Sequence, residues 1–261
     1  MYQYISIMAL LGLITSCTNP KLNKSTFNFK GPQAVPSWFK KLPEIPQGQY
    51  IDVGYARMSN YHNLKSVKYA AVKCAIKNIA KQKNIKIDYT LTEISDGRIT
   101  LTNPFYHEVL EVSLIDEINA NYQVIDSFLT EEAYFILVKY PGNEGYQKPE
   151  SRLEEWEGEP AWIKNTPVAK NAIYSIGMTA RYSNWTTGWN QCDELARIGL
   201  GQALYIAIDS EQYEEIRDRL VKTSRISHEK CEIELIDSKI TARWFDQVSN
   251  RFYALAEINI L

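Results

Sequence analysis

Leu64, Val67, Ala71, Cys74, Ala75 and Asn78 recur at helical spacing, and Lys65, Lys68, Lys73, Lys77 and Lys81 fill the positions between them. That period predicts an amphipathic helix whose narrow, small-residue face packs on a sheet. A second helix is predicted with Leu195, Ile198, Gly199, Ala203, Leu204 and Ala207 as its apolar stripe. After the first helix the rhythm shortens to two, because Ile85, Ile87, Tyr89 and Leu91 alternate with polar residues as a half-buried strand does. Denser aromatic and aliphatic runs, Val124 to Phe128 with Ala133 to Val138 and Thr241 to Trp244 with Phe252 to Ala256, predict two closing pairs of strands. Asp209 to Lys222 reads instead as a charged helix carried by Tyr213, Ile216 and Leu220.

These patterns occur twice. Pro36 and Trp38 return as Pro160 and Trp162, and the strand from Tyr50 to Gly54 returns as Tyr174 to Gly177. Ala56, Arg57, Ser59, Asn60 and Tyr61 return as Ala180, Arg181, Ser183, Asn184 and Trp185. Val112 to Asp116 resembles Ile233 to Asp237, and both copies close on aromatic strands. Matches in one order at an offset of roughly 120 residues predict a duplicated domain rather than a solenoid. The expected organisation is a first α+β domain over 35–142, a linker over 143–150 rich in Pro and Gly, and a second α+β domain over 151–261. Each is expected to lay one long helix on an antiparallel sheet of about four strands.

Ahead of the first copy, Ile5 to Ser16 is an apolar run too short for a membrane-spanning helix, which needs about 20 residues. It has the length of a signal-peptide core. Its end, Ile14, Thr15, Ser16 and Cys17, resembles the lipobox of bacterial lipoproteins, although no Lys or Arg precedes the apolar run. That resemblance implies removal of residues 1–16 and a thioether-linked diacylglycerol on Cys17. More than one acyl chain gives durable anchoring, since one chain alone is marginal. Residues 17–34, with three Asn, three Lys and few core residues, are expected to act as a flexible tether.

Composition narrows the classes of function. Hydrophobic residues make up 45% and charged residues 23%, so the exported part has the material for real cores. The net charge of -2 gives nucleic-acid binding no support. His62, His107 and His228 lack metal-ligand spacing, and no phosphate-binding glycine loop or nucleophile elbow appears, so neither a metal nor a cofactor is expected. Cys192 and Cys231 could form one disulfide in an oxidising envelope, and Cys74 reads as a core residue.

The ordered set of Pro36, Trp38, Tyr50, Val53, Gly54, Ala56, Ala70, Ala71, Ala75 and the strand Ala133 to Lys139 resembles the domain of the small outer-membrane lipoprotein antigens of the Lpp type. That domain is in turn similar to the N-terminal domain of the flagellar assembly protein FlgT. The second copy shares the resemblance through Pro160, Trp162, Tyr174, Gly177, Ala196 and Tyr253 to Ala256. It implies an α+β domain at the cell envelope, most simply the outer membrane, and brings no catalytic residues with it.

The remaining candidates are the loops that join strand to helix. Arg57, Asn60 and Tyr61 in one copy, and Arg181, Tyr182, Asn184, Trp185 and Trp189 in the other, combine polar and aromatic groups suited to a glycan or a protein interface. Helix capping by the Asn or Ser residues, with the rings covering the core edge, accounts for the same pattern without a ligand. Trp38 and Trp162 read as core plugs. The expected function is a non-enzymatic, lipid-anchored envelope scaffold with a protein partner. The alternatives are a glycan or peptidoglycan-binding module using Tyr182, Trp185 and Trp189, and a hydrolase joining His228 to a carboxylate and a nucleophile.

Overall fold

The computed structural model describes residues 33–58, 63–93, 99–101, 107–143, 145–180, 184–209, 225–226 and 230–260. Within them the protein is a mixed α/β structure of small, open antiparallel sheets and five helices. The signal, Cys17 and the tether lie outside the described residues, as do most of the charged helix expected over 209–222 and the histidines His62 and His228.

In the N-terminal half, α1 (Ser37–Lys40) leads to β2 (Tyr50–Arg57), α2 (Leu64–Lys83) and β3 (Asn84–Glu93). The short strands β4 (Ile99–Leu101) and β5 (His107–Val109) follow, then α3 (Val112–Ala120), β6 (Gln123–Leu129) and β7 (Ala133–Tyr140). Strand β7 lies between β2 and β6, antiparallel to both. Its side chains are buried throughout, because both faces of this sheet are covered. Tyr134, Ile136 and Val138 join a core with Val67, Ala71, Ala75 and Ile79 of α2, while Ala133, Phe135 and Leu137 belong to a core shared with the C-terminal half.

Helix α2 forms where its period places it. Asn63 caps it by accepting a hydrogen bond from the Ser66 backbone N–H at 2.8 Å, a contact worth about 1 kcal/mol. Asn78 is the polar residue on its inner face, and its Nδ2 donates to the Val53 carbonyl at 2.9 Å. Gly54 allows the close approach: a Cβ there would lie 2.0 Å from the Ala71 carbonyl oxygen and 2.7 Å from the Ala75 nitrogen.

The C-terminal half runs through α4 (Ala161–Lys164), β9 (Ala172–Thr179), α5 (Trp185–Asp209), β10 (Arg225–Ile226), β11 (Lys230–Ile236), β12 (Lys239–Asp246) and β13 (Arg251–Asn259). Here β13 lies between β9 and β12, again antiparallel to both. Gly177 on β9 meets α5 as Gly54 meets α2, since its Cβ would lie 2.1 Å from the Cys192 carbonyl oxygen and 2.5 Å from the Ala196 nitrogen.

Two strand pairings join the halves. Strand β11 pairs antiparallel with β3 along its whole length, from Lys230 opposite Thr90 to Ile236 opposite Asn84. Near the N-terminal end, β1 (Ala34–Pro36) pairs with β8 (Leu153–Glu155). The expected sheets of about four strands per half are therefore replaced by a three-stranded sheet in each half and a seam sheet that draws strands from both.

One local expectation is corrected and another is met in part. Val112 to Asp116 and Ile233 to Asp237 do not correspond, because the first begins helix α3 and the second ends strand β11. Leu114, Ile115 and Ile118 have helical spacing and pack with the α2 core, whereas Ile233 and Leu235 alternate with Glu232 and Glu234. The buried stripe of α5 matches the expectation in part: Ile198 and Leu204 are buried and Leu195, Gly199 and Ala203 are half-buried, while Trp185, Trp189, Cys192, Ala196 and Leu200 add a buried row that the pattern did not include.

Candidate functional site

The aromatic residues offered as glycan contacts are in the core. Trp185 and Trp189 are 3% and 0% exposed. Trp185 stacks on Phe135 with ring centres 5.9 Å apart, and Trp189 meets the edge of Phe39 at 5.4 Å and of Phe252 at 5.1 Å. Neither ring can stack on an external sugar, so the reading that used them is corrected: they weld the two halves together. Asn184 precedes α5 and accepts hydrogen bonds from the Thr186 backbone N–H at 3.1 Å and hydroxyl at 2.9 Å, which is the capping role. Arg57 is exposed at the end of β2. Asn60, Tyr61, Arg181 and Tyr182 lie outside the described residues.

Cys192 is a free, buried thiol that donates to the Gly177 carbonyl at 3.1 Å, and the side chain of Cys231, offered as a possible disulfide partner, lies outside the described residues. Cys74 is also free and half-buried. Trp38 is a core residue, 2% exposed, whose indole N–H donates to Asp126 at 3.1 Å, whereas Trp162 only packs against the core from a half-buried position.

Charged side chains absent from the sequence-based candidates occupy the junction between the halves. Arg243 of β12 is held by Asp193 of α5, with Nη2 to Oδ2 at 2.8 Å, and reaches Asp52 of β2 at 3.7 Å. Its guanidinium also lies 5.3 Å from the centre of the Phe39 ring. All three charged side chains are 3% exposed or less. Burial pushes the Asp52 carboxyl up to about 6; Arg243 opposes that shift but is shared with Asp193. Tyr55 adds another link, a hydrogen bond to Asn190 at 3.0 Å.

A second ion cluster sits beside the seam. Glu108 is bound by both Lys81 of α2 and Arg197 of α5, so it ties a helix of each half to the strand between them. Burial alone would raise the Glu108 carboxyl, but the two cations outweigh it and hold it down at about 2. Asp193 and Arg197 lie one helical turn apart on the inner side of α5. They look like solvent-facing residues in sequence because their partners, Arg243 and Glu108, are distant along the chain.

At the opposite edge of the junction lies an open cleft of about 650 Å³, bounded by the loop before β2, the end of α2, the β11–β12 turn and the ends of β9 and β13. Tyr50 crosses it, its hydroxyl donating to Asp237 at 2.6 Å. Carboxamides of Gln49, Gln82, Asn171 and Asn259 line it, together with Glu234 and Lys239. Among the described residues no group of three or more His, Cys, Asp or Glu side chains could hold a metal ion.

Against known proteins, no family model, no curated protein and no solved structure matches this chain.

Proposed function

We propose that the chain is a lipid-anchored protein of the cell envelope that works without catalysis, as a scaffold or assembly factor for other envelope proteins. In this reading residues 17–34 are a tether from a lipidated Cys17, and residues 35–142 and 151–261 are tandem related α+β units at an outer membrane. Support for the tandem relation comes from matched construction. The sheet orders β6-β7-β2 and β12-β13-β9 correspond, and each has an irregularity at the same step, between Val124 and Asp126 and between Ile240 and Ala242. Gly54 and Gly177 seat their helices alike.

The observation that carries the scaffold reading is the seam. A protein that holds others in register needs its parts fixed relative to one another. Pairing of β3 with β11 and the ion pairs of Arg243 and Glu108 commit interior charge to that rigidity. Metabolic labelling with a clickable palmitate analogue tests the anchor: label and membrane fractionation should both be lost in Cys17→Ala. Crosslinking in intact cells tests the scaffold, with one reproducible envelope protein expected on the wild type and lost with the anchor. Failure to crosslink any protein with several chemistries would sink the scaffold reading while leaving the anchor standing.

A further inference from the structure

The cleft at the junction has the chemistry of a site for a neutral, hydroxyl-rich ligand, and we propose that it binds a saccharide. Its volume of about 650 Å³ lies within the range of small-ligand sites, roughly 300–1,000 Å³, and its position between two structural units is a common one for such sites. The walls combine side-chain amides with apolar patches. Gln82, at the end of α2 and only 6% exposed, holds its Oε1 shut away from solvent with no donor from the protein, and Gln49 Oε1 is in the same condition. An amide oxygen so placed is an acceptor awaiting a donor.

A sugar hydroxyl both donates and accepts, as a carboxamide does, so a ring presenting several hydroxyls can answer Gln82, Gln49 and Asn259 together. Both oxygens are closed to solvent, so binding in this proposal includes a turn of the two Gln side chains toward the cleft. The half-exposed Ile236, with the partly buried Ile45 and Ile260, supplies surface for the C–H face of the ring. Charge selects further. Glu234 and Asp237 are acidic, while Lys239 is drawn toward Glu257 at 3.6 Å, so an anionic ligand is repelled. Asp237 is fixed for acceptance by Tyr50, on a residue at φ 58° that sets the tight turn between β11 and β12. The site is separate from the buried Trp185 and Trp189, and it stands or falls independently of the lipid anchor and the scaffold reading.

Titration calorimetry on the full-length protein in detergent, with cellotetraose and tetra-N-acetylchitotetraose as probes, tests the assignment. At least one should bind, and Gln82→Met and Asn259→Ala should each weaken it by about tenfold, the value of one lost hydrogen bond. Asn259 is exposed, so its replacement leaves the fold intact and guards against a trivial loss in the buried Gln82→Met. An acetylated tetra-alanine peptide is the counter-probe. No binding of either sugar at millimolar concentration, binding unchanged in both variants, or binding of the peptide in place of the sugars would each overturn the proposal.

Discussion

The guanidinium of Arg243 meets the carboxylate of Asp193 at two points, Nε to Oδ1 at 3.1 Å and Nη2 to Oδ2 at 2.8 Å, where the side chains are 1% and 3% exposed. Geometry of this kind offsets much of the desolvation cost of both ions, but only while both are present. Arg243→Met leaves Asp193 and Asp52 buried without their cation. It is expected to cost about 3–5 kcal/mol, measured by urea denaturation. Adding Asp193→Leu should recover part of that loss, since it removes the nearer of the two carboxylates left without a cation and leaves only Asp52, which burial already makes easier to protonate. Equal losses in the single and double variants would show that shape rather than charge is at stake.

Gly54 and Gly177 make a parallel test of the two helix–sheet contacts. A methyl group at either position would overlap backbone, at 2.0 Å from the Ala71 oxygen or 2.1 Å from the Cys192 oxygen, and backbone cannot swing aside as a side-chain tip can. Gly54→Ala and Gly177→Ala should each destabilise by at least the roughly 1–3 kcal/mol typical of overpacking, read as a fall in Tm. Gly145 is the control, because a methyl group added there would meet nothing within 4 Å, and Gly145→Ala should leave Tm within about two degrees of the wild type.

Stability should depend on pH through two carboxylates of opposite sign. Asp52 has its folded value raised from 3.8 to about 6, so the folded state holds that proton more tightly than the unfolded chain. Its contribution is greatest below about 4 and is lost as pH rises through 6. Glu108 has its value lowered from 4.5 to about 2, so its contribution is present above 4.5 and is lost as pH falls through 2, on the order of 3 kcal/mol in all. Denaturation curves across about pH 2–7 should lose their decline between about 4 and 6 in Asp52→Asn and much of their acid limb in Glu108→Gln. Differences from wild type that are flat with pH in both variants would refute the assignment of these groups.

The thiol of Cys192 is expected to be inert in the folded protein. Burial raises its pKa well above the ordinary thiol value, and its Sγ is engaged by the Gly177 carbonyl. In a Cys17→Ala, Cys74→Ala, Cys231→Ala background, Ellman's reagent should report no fast thiol until denaturant is added. Immediate reaction of a stoichiometric thiol would show that α5 does not sit on β9 in the way the Gly177 contact requires.

Local rhythm in the sequence located α2 and the closing strands, whose sheet partners lie in their own half, and it located β3 by its alternation although β3 pairs with β11 of the other half. It misled wherever a distant partner changed the meaning of a residue. Asp193 and Arg197 have no place in the apolar stripe expected of α5, yet both are buried on it, because Arg243 and Glu108 pair with them from elements distant along the chain. Trp185 and Trp189 read either as ligand-binding aromatics or as rings covering the core edge, and the burial that decides for the core depends on Phe39, Phe135 and Phe252, which come from other parts of the chain. The cleft was illegible for the same reason: Gln49, Gln82, Asn171 and Asn259 have no spacing that unites them, and only the seam brings them to one place.

That seam also decides how far the two halves are separable. A chain with a Pro- and Gly-containing linker over 143–150 reads as two tandem domains. In the structure, however, one core contains Phe39, Tyr55 and Phe135 from the first half with Trp156, Trp189 and Phe252 from the second. Cutting there exposes those rings together with the edges of β3 and β11, and an open, apolar sheet edge is an aggregation hazard. Residues 33–142 and 151–261 expressed separately should therefore be insoluble or lack cooperative melting, while co-expression should restore a soluble complex with one transition. Two soluble fragments that each melt cooperatively, and do not associate in gel filtration, would establish instead that the seam is a contact between domains and not part of a common fold.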